Sequence, residues 1–228
     1  MMQKIFSCFA LVSLLIFCGC GNKQKPTEGT EKDTVKEASA KTQTQKSILF
    51  FGNSLTAGYG LDDPQNDAFP SVIQQTIDSL KLPYKVVNGG LSGETSSDGK
   101  NRINWLLRQP VDVFVLELGA NDGLRGIPVA ETEANLQAII DQVKAKYPKA
   151  KLVMTGMQVP PNMGGTYASD FGKVFPRLAK KNNMALVPFL LENVAGNRDL
   201  NQRDGIHPTA KGAKIVAQNV WQVLKDQL

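Results

Sequence analysis

Short apolar runs alternate with longer segments of helical periodicity from Ile48 to the end of the chain, and this alternation constrains the fold most strongly. Residues 111–116 form a nearly continuous apolar run, which is typical of a strand buried on both faces. Residues 130–147 instead place apolar side chains at the spacing of one helix face. Because strands that alternate with helices pair in parallel through crossover connections, the sequence predicts an α/β fold. We expect three layers, with a five-stranded parallel sheet between helices.

The first strand of this pattern leads directly to a serine. Residues 48–61 begin as an apolar run that breaks at Gly52 and Asn53, so Ser54 follows the end of a strand. Open α/β folds bind their ligands at this carboxyl edge of the sheet. The only histidine of the chain, His207, lies near the other end of the sequence. If Ser54 reacts with the help of an imidazole base, that base is His207.

Three further loop residues have chemistry that suits acyl transfer. Gly93 and Asn121 lie in loops that follow predicted strands, and Asp204 lies three residues before His207. By their order along the chain, these loops should gather above the same sheet edge as Ser54. Acyl transfer requires a hydroxyl nucleophile, a base, a carboxylate that orients the base, and donors for the oxyanion. Each residue alone is equally typical of a tight turn or a helix start.

Four sequence blocks together resemble a known family. Gly-Asn-Ser-Leu at 52–55, Gly93, Gly-Ala-Asn-Asp at 119–122 and Asp-Gly-Ile-His-Pro at 204–208 occur in the order and spacing of the SGNH (GDSL-type) hydrolases. The similarity is greatest to the bacterial thioesterase I/lysophospholipase L1/arylesterase group, and it covers residues 48–228. Asn53 stands where the motif that names the family has Asp.

The resemblance implies a role for each of these residues. It implies a flavodoxin-like SGNH hydrolase fold in which Ser54 is the nucleophile, His207 the general base and Asp204 its orienting partner. The oxyanion would be bound by the backbone N–H groups of Ser54 and Gly93 and by the side-chain amide of Asn121.

The implied activity is hydrolysis of carboxyl esters or thioesters through an acyl-enzyme, as in an arylesterase, lysophospholipase or thioesterase. The expected partner is a small ester or lipid substrate, and we expect a monomer. Two alternatives stay open from the sequence. One is a carbohydrate O-deacetylase on the same scaffold, and the other is a binding module that has lost turnover.

Two loops contain apolar residues that would line an acyl-binding cleft. The loop after Asn121 and the loop after the fourth predicted strand should leave the same sheet edge as Ser54. Apolar side chains in surface loops need an apolar cover, which a fatty acyl chain would provide. Alternatively, these side chains pack on one another as a small satellite core. The candidates for substrate binding are Leu124, Ile127, Val159, Met163 and Tyr167.

Other functional classes lack support in the sequence. The chain has neither a Gly-x-x-x-x-Gly-Lys loop nor a Gly-x-Gly-x-x-Gly turn after its first strand. One histidine and no cysteine after Cys20 argue against a zinc site, so we expect no metal and no cofactor. The formal net charge is +5, but residues 48–228 hold 19 basic and 17 acidic residues without a basic cluster. We therefore expect no nucleic-acid binding.

The N-terminus has the pattern of an export signal. Lys4 precedes the apolar run 5–18, which is shorter than the 18 or so residues of a membrane span. Residues 17–20 resemble a bacterial lipoprotein cleavage box, in which Cys20 becomes the lipidated first residue. An ordinary secretory peptide is the alternative. We expect export, with a lipid anchor to a bacterial membrane, on the side of the periplasm or the cell exterior.

The polar segment after Cys20 separates the signal from the folded part of the chain. It is rich in Lys, Thr, Glu and Gln, and it contains too few apolar residues to offset the entropy of ordering. The predicted organisation is therefore a signal peptide at 1–20, a disordered tether at 21–47 and a hydrolase domain at 48–228.

Overall fold

Five parallel strands form one sheet within residues 45–228, the part of the chain that this computed structural model describes. The predicted signal peptide, Cys20 and residues 21–44 of the predicted tether lie outside the described residues. The strands are β1 (Lys46–Gly52), β2 (Tyr84–Gly90), β3 (Val113–Glu117), β4 (Lys151–Thr155) and β5 (Ala185–Val187).

The strand order β2-β1-β3-β4-β5 confirms the predicted parallel sheet, and it is the flavodoxin-like order. The chain adds β2 on one side of β1 and all later strands on the other side. Open α/β sheets have a crevice at such a reversal, outside the carboxyl ends of the two central strands. The loops that follow β1 and β3 therefore flank the natural ligand site of this sheet.

Helices cover both faces of the sheet. In one layer, α3 packs against α8, and in the other, α4 packs against α6 and α6 against α7. The predicted three-layer architecture is thereby confirmed. The helices are α1 (Ser54–Ala57), α2 (Pro64–Asp67), α3 (Phe69–Ser79), α4 (Ser96–Leu106), α5 (Ala120–Leu124), α6 (Val129–Lys146), α7 (Gly165–Asn182) and α8 (Ala210–Leu224), with short 3-10 helices at Pro161–Met163 and Lys225–Gln227.

Strand β1 contributes to the core on both faces of the sheet. Successive side chains of a strand point to opposite faces, so neighbouring residues of β1 enter different cores. Phe50 meets Phe69 of α3 edge to face, with ring centroids 5.6 Å apart. Phe51 stacks on Phe114 of β3 at 6.0 Å. This interior strand, buried from both sides, provides a rigid base for the serine that follows it.

The structure differs from the sequence prediction at several positions, among them the start of β1 and the position of Asn121. Strand β1 begins at Lys46 rather than Ile48, because Lys46 pairs with Tyr84 and its N–H donates to Pro83. Residues 46 and 47, predicted as the end of the tether, therefore belong to the sheet. Asn121, expected in a turn, lies in the short helix α5. Within residues 45–228, no helix is both long and apolar enough to cross a membrane.

Candidate active site

Ser54 is placed by a tight strand-to-helix turn at the end of β1. Asn53 caps the short helix α1, since its side-chain Oδ1 accepts the backbone N–H of Leu55 at 3.0 Å. The helix ends at Gly58, whose φ of 75° is a left-handed conformation that glycine adopts without strain. Ser54 is mostly buried, with its hydroxyl directed to the loop that precedes α8.

The structure brings the predicted serine, histidine and aspartate into one hydrogen-bonded series. Ser54 Oγ lies 2.8 Å from His207 Nε2, and His207 Nδ1 lies 2.6 Å from Asp204 Oδ2. The three side chains come from the two ends of the domain and meet at the carboxyl edge of the sheet. Their relative positions match the arrangement in which a base takes the hydroxyl proton while a carboxylate holds the other ring nitrogen.

The carboxylate of Asp204 is held by its own loop as well as by the imidazole. Its Oδ1 accepts the backbone N–H groups of Ile206 at 2.9 Å and His207 at 3.0 Å. Partial burial raises the pKa of this carboxyl, but hydrogen bonds from His207 and Ile206 outweigh burial and lower the pKa to about 2. Asp204 is therefore ionised at neutral pH and accepts hydrogen bonds only.

Tyr59 and Gln202 support His207, and neither was identified from the sequence. The ring of Tyr59 packs against the imidazole with centroids 4.8 Å apart. The Gln202 side-chain amide donates to the carbonyls of Tyr59 at 2.7 Å and Pro208 at 2.9 Å. The Gln202 backbone N–H donates to the carbonyl of His207 at 2.7 Å. These contacts join the loop after α1 to the histidine loop.

The predicted oxyanion donors lie on neighbouring loops of the same sheet edge. Among the described residues, the backbone N–H groups of Ser54 and Gly93 have no hydrogen-bond acceptor. Gly93 has a φ of 82°, and its carbonyl accepts Arg125 Nη2 at 3.0 Å. The amide of Asn121 donates through Nδ2 to the carbonyl of Glu94 at 2.9 Å, which leaves its second N–H proton available.

A buried ion pair fixes the loop that contains Gly93. Glu94 is almost fully buried and binds Arg102 of α4 through both carboxylate oxygens. Arg102 also donates to the carbonyl of Gly89 at 2.9 Å and lies over the ring of Phe51. Sequence patterns gave no indication of this pair. Its effect is to anchor the Gly93 loop to the sheet core.

Glu117, at the end of β3, is a second buried carboxylate close to Ser54. It is 1% exposed and accepts hydrogen bonds from the backbone and side chain of Asn53 and from the hydroxyl of Thr56. Burial raises the pKa of Glu117 to about 7, although the hydrogen bonds from Thr56 and Asn53 oppose that rise. No sequence pattern had identified this residue as functional.

An apolar groove of about 450 Å³ is lined by Leu55, the residue after Ser54, and by Ile206, the residue before His207. Its lining also includes two of the predicted substrate-binding residues, Leu124 and Val159. The loop after β5, which the sequence did not single out, contributes Phe189 and Leu191.

Three of the five predicted substrate-binding residues do not line this groove. Met163 and Tyr167 pack against the hydrophobic core, where Tyr167 stacks on Phe171 with centroids 6.1 Å apart. The Tyr167 hydroxyl donates to the carbonyl of Ile127 at 2.7 Å and thereby joins the two loops. The expected place of Met163 and Tyr167 in the wall of the cleft is therefore wrong, and they pack on the main core rather than forming a separate satellite core. The side chain of Ile127 is half-buried outside the groove.

Residues that could hold a metal do not gather at this site. Within residues 45–228, no three His, Cys, Asp or Glu side chains lie close enough together to bind a metal ion. The polar groups around Ser54 are instead those of acid–base chemistry: a hydroxyl, an imidazole, a carboxylate and free N–H donors.

A family model described as the GDSL-like lipase/acylhydrolase family matches residues 50–215, and the chain therefore belongs to this family. The chain is 37% identical over 184 residues to the esterase TesA of Pseudomonas aeruginosa, covering 80% of this chain and 90% of that protein. It is 36% identical over 191 residues to an arylesterase of Vibrio mimicus, covering 83% and 94%. It is 36% identical over 172 residues to thioesterase 1/protease 1/lysophospholipase L1 of Escherichia coli K12, covering 75% and 79%.

Solved structures give the same grouping. A crystal structure of TesA superposes with a TM-score of 0.76 at 36% identity, covering 80% of this chain and all of that chain. The psychrotrophic esterase EstA from Pseudoalteromonas sp., in a structure inhibited by monoethylphosphonate, gives a TM-score of 0.74 at 32% identity. That match covers 79% of this chain and 97% of EstA. The predicted resemblance to SGNH hydrolases is confirmed.

Proposed function

We propose that the protein hydrolyses carboxyl esters or thioesters through an acyl-enzyme on Ser54. The observation that carries this proposal is the series of short contacts from Asp204 to His207 and from His207 to Ser54. A mostly buried hydroxyl 2.8 Å from an imidazole nitrogen has a base within reach of its proton. Family membership and the relatives named esterase, arylesterase and thioesterase support the same reaction.

The reaction begins when Ser54 Oγ attacks the substrate carbonyl while His207 Nε2 takes the hydroxyl proton. Asp204 holds the Nδ1–H side of the ring and stabilises the imidazolium that forms. The imidazolium then gives its proton to the leaving alcohol or thiol, and the acyl-enzyme remains. Water attacks the acyl carbonyl, His207 again takes a proton, and the carboxylic acid is released with Ser54 restored.

Three donors would stabilise the negative oxygen of each tetrahedral intermediate. The free backbone N–H groups of Ser54 and Gly93 are fixed by the helix start and by the glycine turn. The amide of Asn121 supplies the third N–H once one of its protons is directed to the substrate. Such donors stabilise the transition state more than the ground state, because charge develops on the oxygen only during the reaction.

The groove favours an acyl chain longer than acetyl as the group transferred to Ser54. Its volume of about 450 Å³ lies within the range of roughly 300–1,000 Å³ found for small-molecule sites, and most of its lining side chains are apolar. Each methylene group buried there contributes about 0.8 kcal/mol. An ester with a medium or long acyl chain, such as a lysophospholipid, therefore fits the proposal better than an acetylated carbohydrate.

Hydrolysis of p-nitrophenyl esters from acetate to palmitate tests the proposal. We expect kcat/KM to rise with chain length until the groove is filled. Activity limited to acetate would favour an O-deacetylase. An organophosphonate probe that fails to label Ser54, together with no turnover of any ester, would favour a binding module instead.

We also propose that the protein is exported and anchored to a bacterial membrane through lipidated Cys20, and that the domain acts as a monomer. The support for export and for the anchor is the sequence alone: Lys4, the apolar run 5–18 and the polar segment after Cys20. Cys20→Ser should move the protein from the membrane fraction to the soluble fraction without changing the kcat of the purified domain. Wild-type protein found entirely in the soluble fraction would contradict the anchor.

A further inference from the structure

Glu117 is a buried acid that the proposed mechanism leaves without a task. It lies at the end of β3, paired in register with Gly52 of β1, and it is 1% exposed. No salt bridge reaches it among the residues that the structure describes. A buried carboxylate without a cation destabilises a fold unless hydrogen bonds compensate, so its presence calls for a specific reason.

Within residues 45–228, every hydrogen bond to this carboxylate comes from the turn that presents Ser54. Oε2 accepts the backbone N–H of Asn53 at 3.1 Å and the hydroxyl of Thr56 at 2.7 Å, while Oε1 accepts Asn53 Nδ2 at 3.0 Å. These donors belong to the residue before Ser54 and to the residue two positions after it. The carboxylate therefore holds the nucleophile's turn from both sides.

The orientation of the Asn53 amide is fixed by the contacts of its oxygen, which also lies 3.4 Å from Ser54 Oγ. Asn53 Oδ1 accepts the backbone N–H of Leu55 at 3.0 Å, and only an oxygen can accept there. Nδ2 must then face Glu117, which must supply an acceptor. Space is also fixed, because a Cβ at Gly52 would overlap both Thr56 and the Glu117 carboxylate. When Glu117 is ionised, each of these donors therefore has an acceptor.

We propose that Glu117 is a positioning residue for the hydrolysis proposed above, because its carboxylate sets the orientation of the Ser54 turn relative to His207. The inference rests on that proposed function and extends it to a residue that does not touch the substrate. Asp204 fixes the base, with His207 Nδ1 2.6 Å away, and Glu117 fixes the nucleophile. A displacement of about 1 Å between reacting groups costs on the order of 10²-fold in rate.

Glu117→Gln changes one oxygen into an NH₂ group without changing the length of the side chain. Whichever way the new amide turns, its NH₂ meets a donor: either Asn53 Nδ2 or the backbone N–H of Asn53. We expect kcat to fall on the order of 10²-fold because the turn must shift, with KM changed by less than about threefold.

The double variant N53D/E117Q exchanges donor and acceptor in the side-chain hydrogen bond between positions 53 and 117. The new carboxylate accepts the Leu55 N–H and the amide NH₂ of the new glutamine, while the glutamine oxygen accepts the backbone N–H of residue 53 and the hydroxyl of Thr56. Every donor again has an acceptor. We expect kcat to recover to within about tenfold of wild type, which a loss of general stability would not produce.

Thr155→Val is the matched control. Thr155 is equally buried at the end of β4, and its hydroxyl donates to the backbone carbonyl of Leu116 at 3.2 Å, with no hydrogen bond to Asn53, Ser54 or Thr56 among the described residues. The variant should lower the Tm without lowering kcat. Thr56→Val removes a single hydrogen-bond donor to Glu117, so it should lower kcat by about tenfold. If E117Q does not fold, the kcat of this variant tests the positioning role instead.

The measurement is kcat, KM and Tm for these variants with a p-nitrophenyl ester. Wild-type kcat in E117Q, wild-type kcat in T56V, or a double variant no faster than E117Q would overturn the positioning role. Failure of the proposed function is distinguishable, because the wild-type protein itself would then neither hydrolyse the ester nor react with an organophosphonate at Ser54.

Discussion

Ionisation of Glu117 should make the folded protein less stable as the pH rises. Burial raises its pKa from the ordinary glutamate value of 4.5 to about 7, so the folded state binds the proton more tightly than the unfolded state. The resulting stabilisation is fully present below pH 4.5 and is lost as the pH rises to about 7. Each pKa unit corresponds to about 1.4 kcal/mol, so the loss amounts to about 3 kcal/mol.

Urea unfolding of wild type and Glu117→Gln across pH 4 to 8 measures this effect, because other groups titrate in both proteins and cancel in the difference. The free energy of unfolding of the variant, relative to wild type, should rise by about 3 kcal/mol from pH 4 to pH 8. The donor mismatch in the variant adds an offset that does not depend on pH. A difference that stays constant across this range would refute the assignment of a buried, titrating carboxyl at position 117.

Two predictions concern the substrate side of the site. Asn121→Ala should lower kcat by about 10²–10³-fold with little change in KM, since its amide donates mainly to the developing oxyanion; an effect on KM alone in steady-state assays would contradict that role. Leu124→Ser should lower kcat/KM for long-chain p-nitrophenyl esters but not for the acetate, because Leu124 lines the apolar groove. Ile127→Ser, outside the groove, is the control and should have the same effect at every chain length; a matching chain-length dependence in both variants would contradict the groove assignment.

The fold was largely predictable because its signals are local. The apolar run of β3 is buried along its whole length, as a strand covered on both faces must be. Loops that follow parallel strands necessarily share one edge of the sheet, so chain order alone brought Ser54, Gly93 and Asn121 to the same edge. The pairing of Ser54 with His207 needed one further fact, namely that the chain contains a single histidine.

What the sequence did not predict depends on contacts between distant segments. Tyr59 packs on His207, and Glu117 accepts hydrogen bonds from Asn53, but no periodicity or spacing links these positions. For the same reason, only two of the five residues predicted to line the acyl groove do line it. The apolar residues predicted in these loops looked equivalent in the sequence. In the structure, however, the ring of Tyr167 stacks on Phe171 of the core, whereas Leu124 lines the groove. The direction of a side chain is set by tertiary packing, and local sequence patterns do not predict that packing.

The central claim is that Ser54 and His207 act as one unit, and a double-mutant measurement of kcat tests it most directly. Ser54→Ala and His207→Ala should each lower kcat by about 10⁴-fold or more, because either change removes the same proton transfer and nucleophilic attack. The double variant should then be little slower than either single variant. Losses that add in the double variant, or a single variant that retains wild-type kcat, would contradict the account.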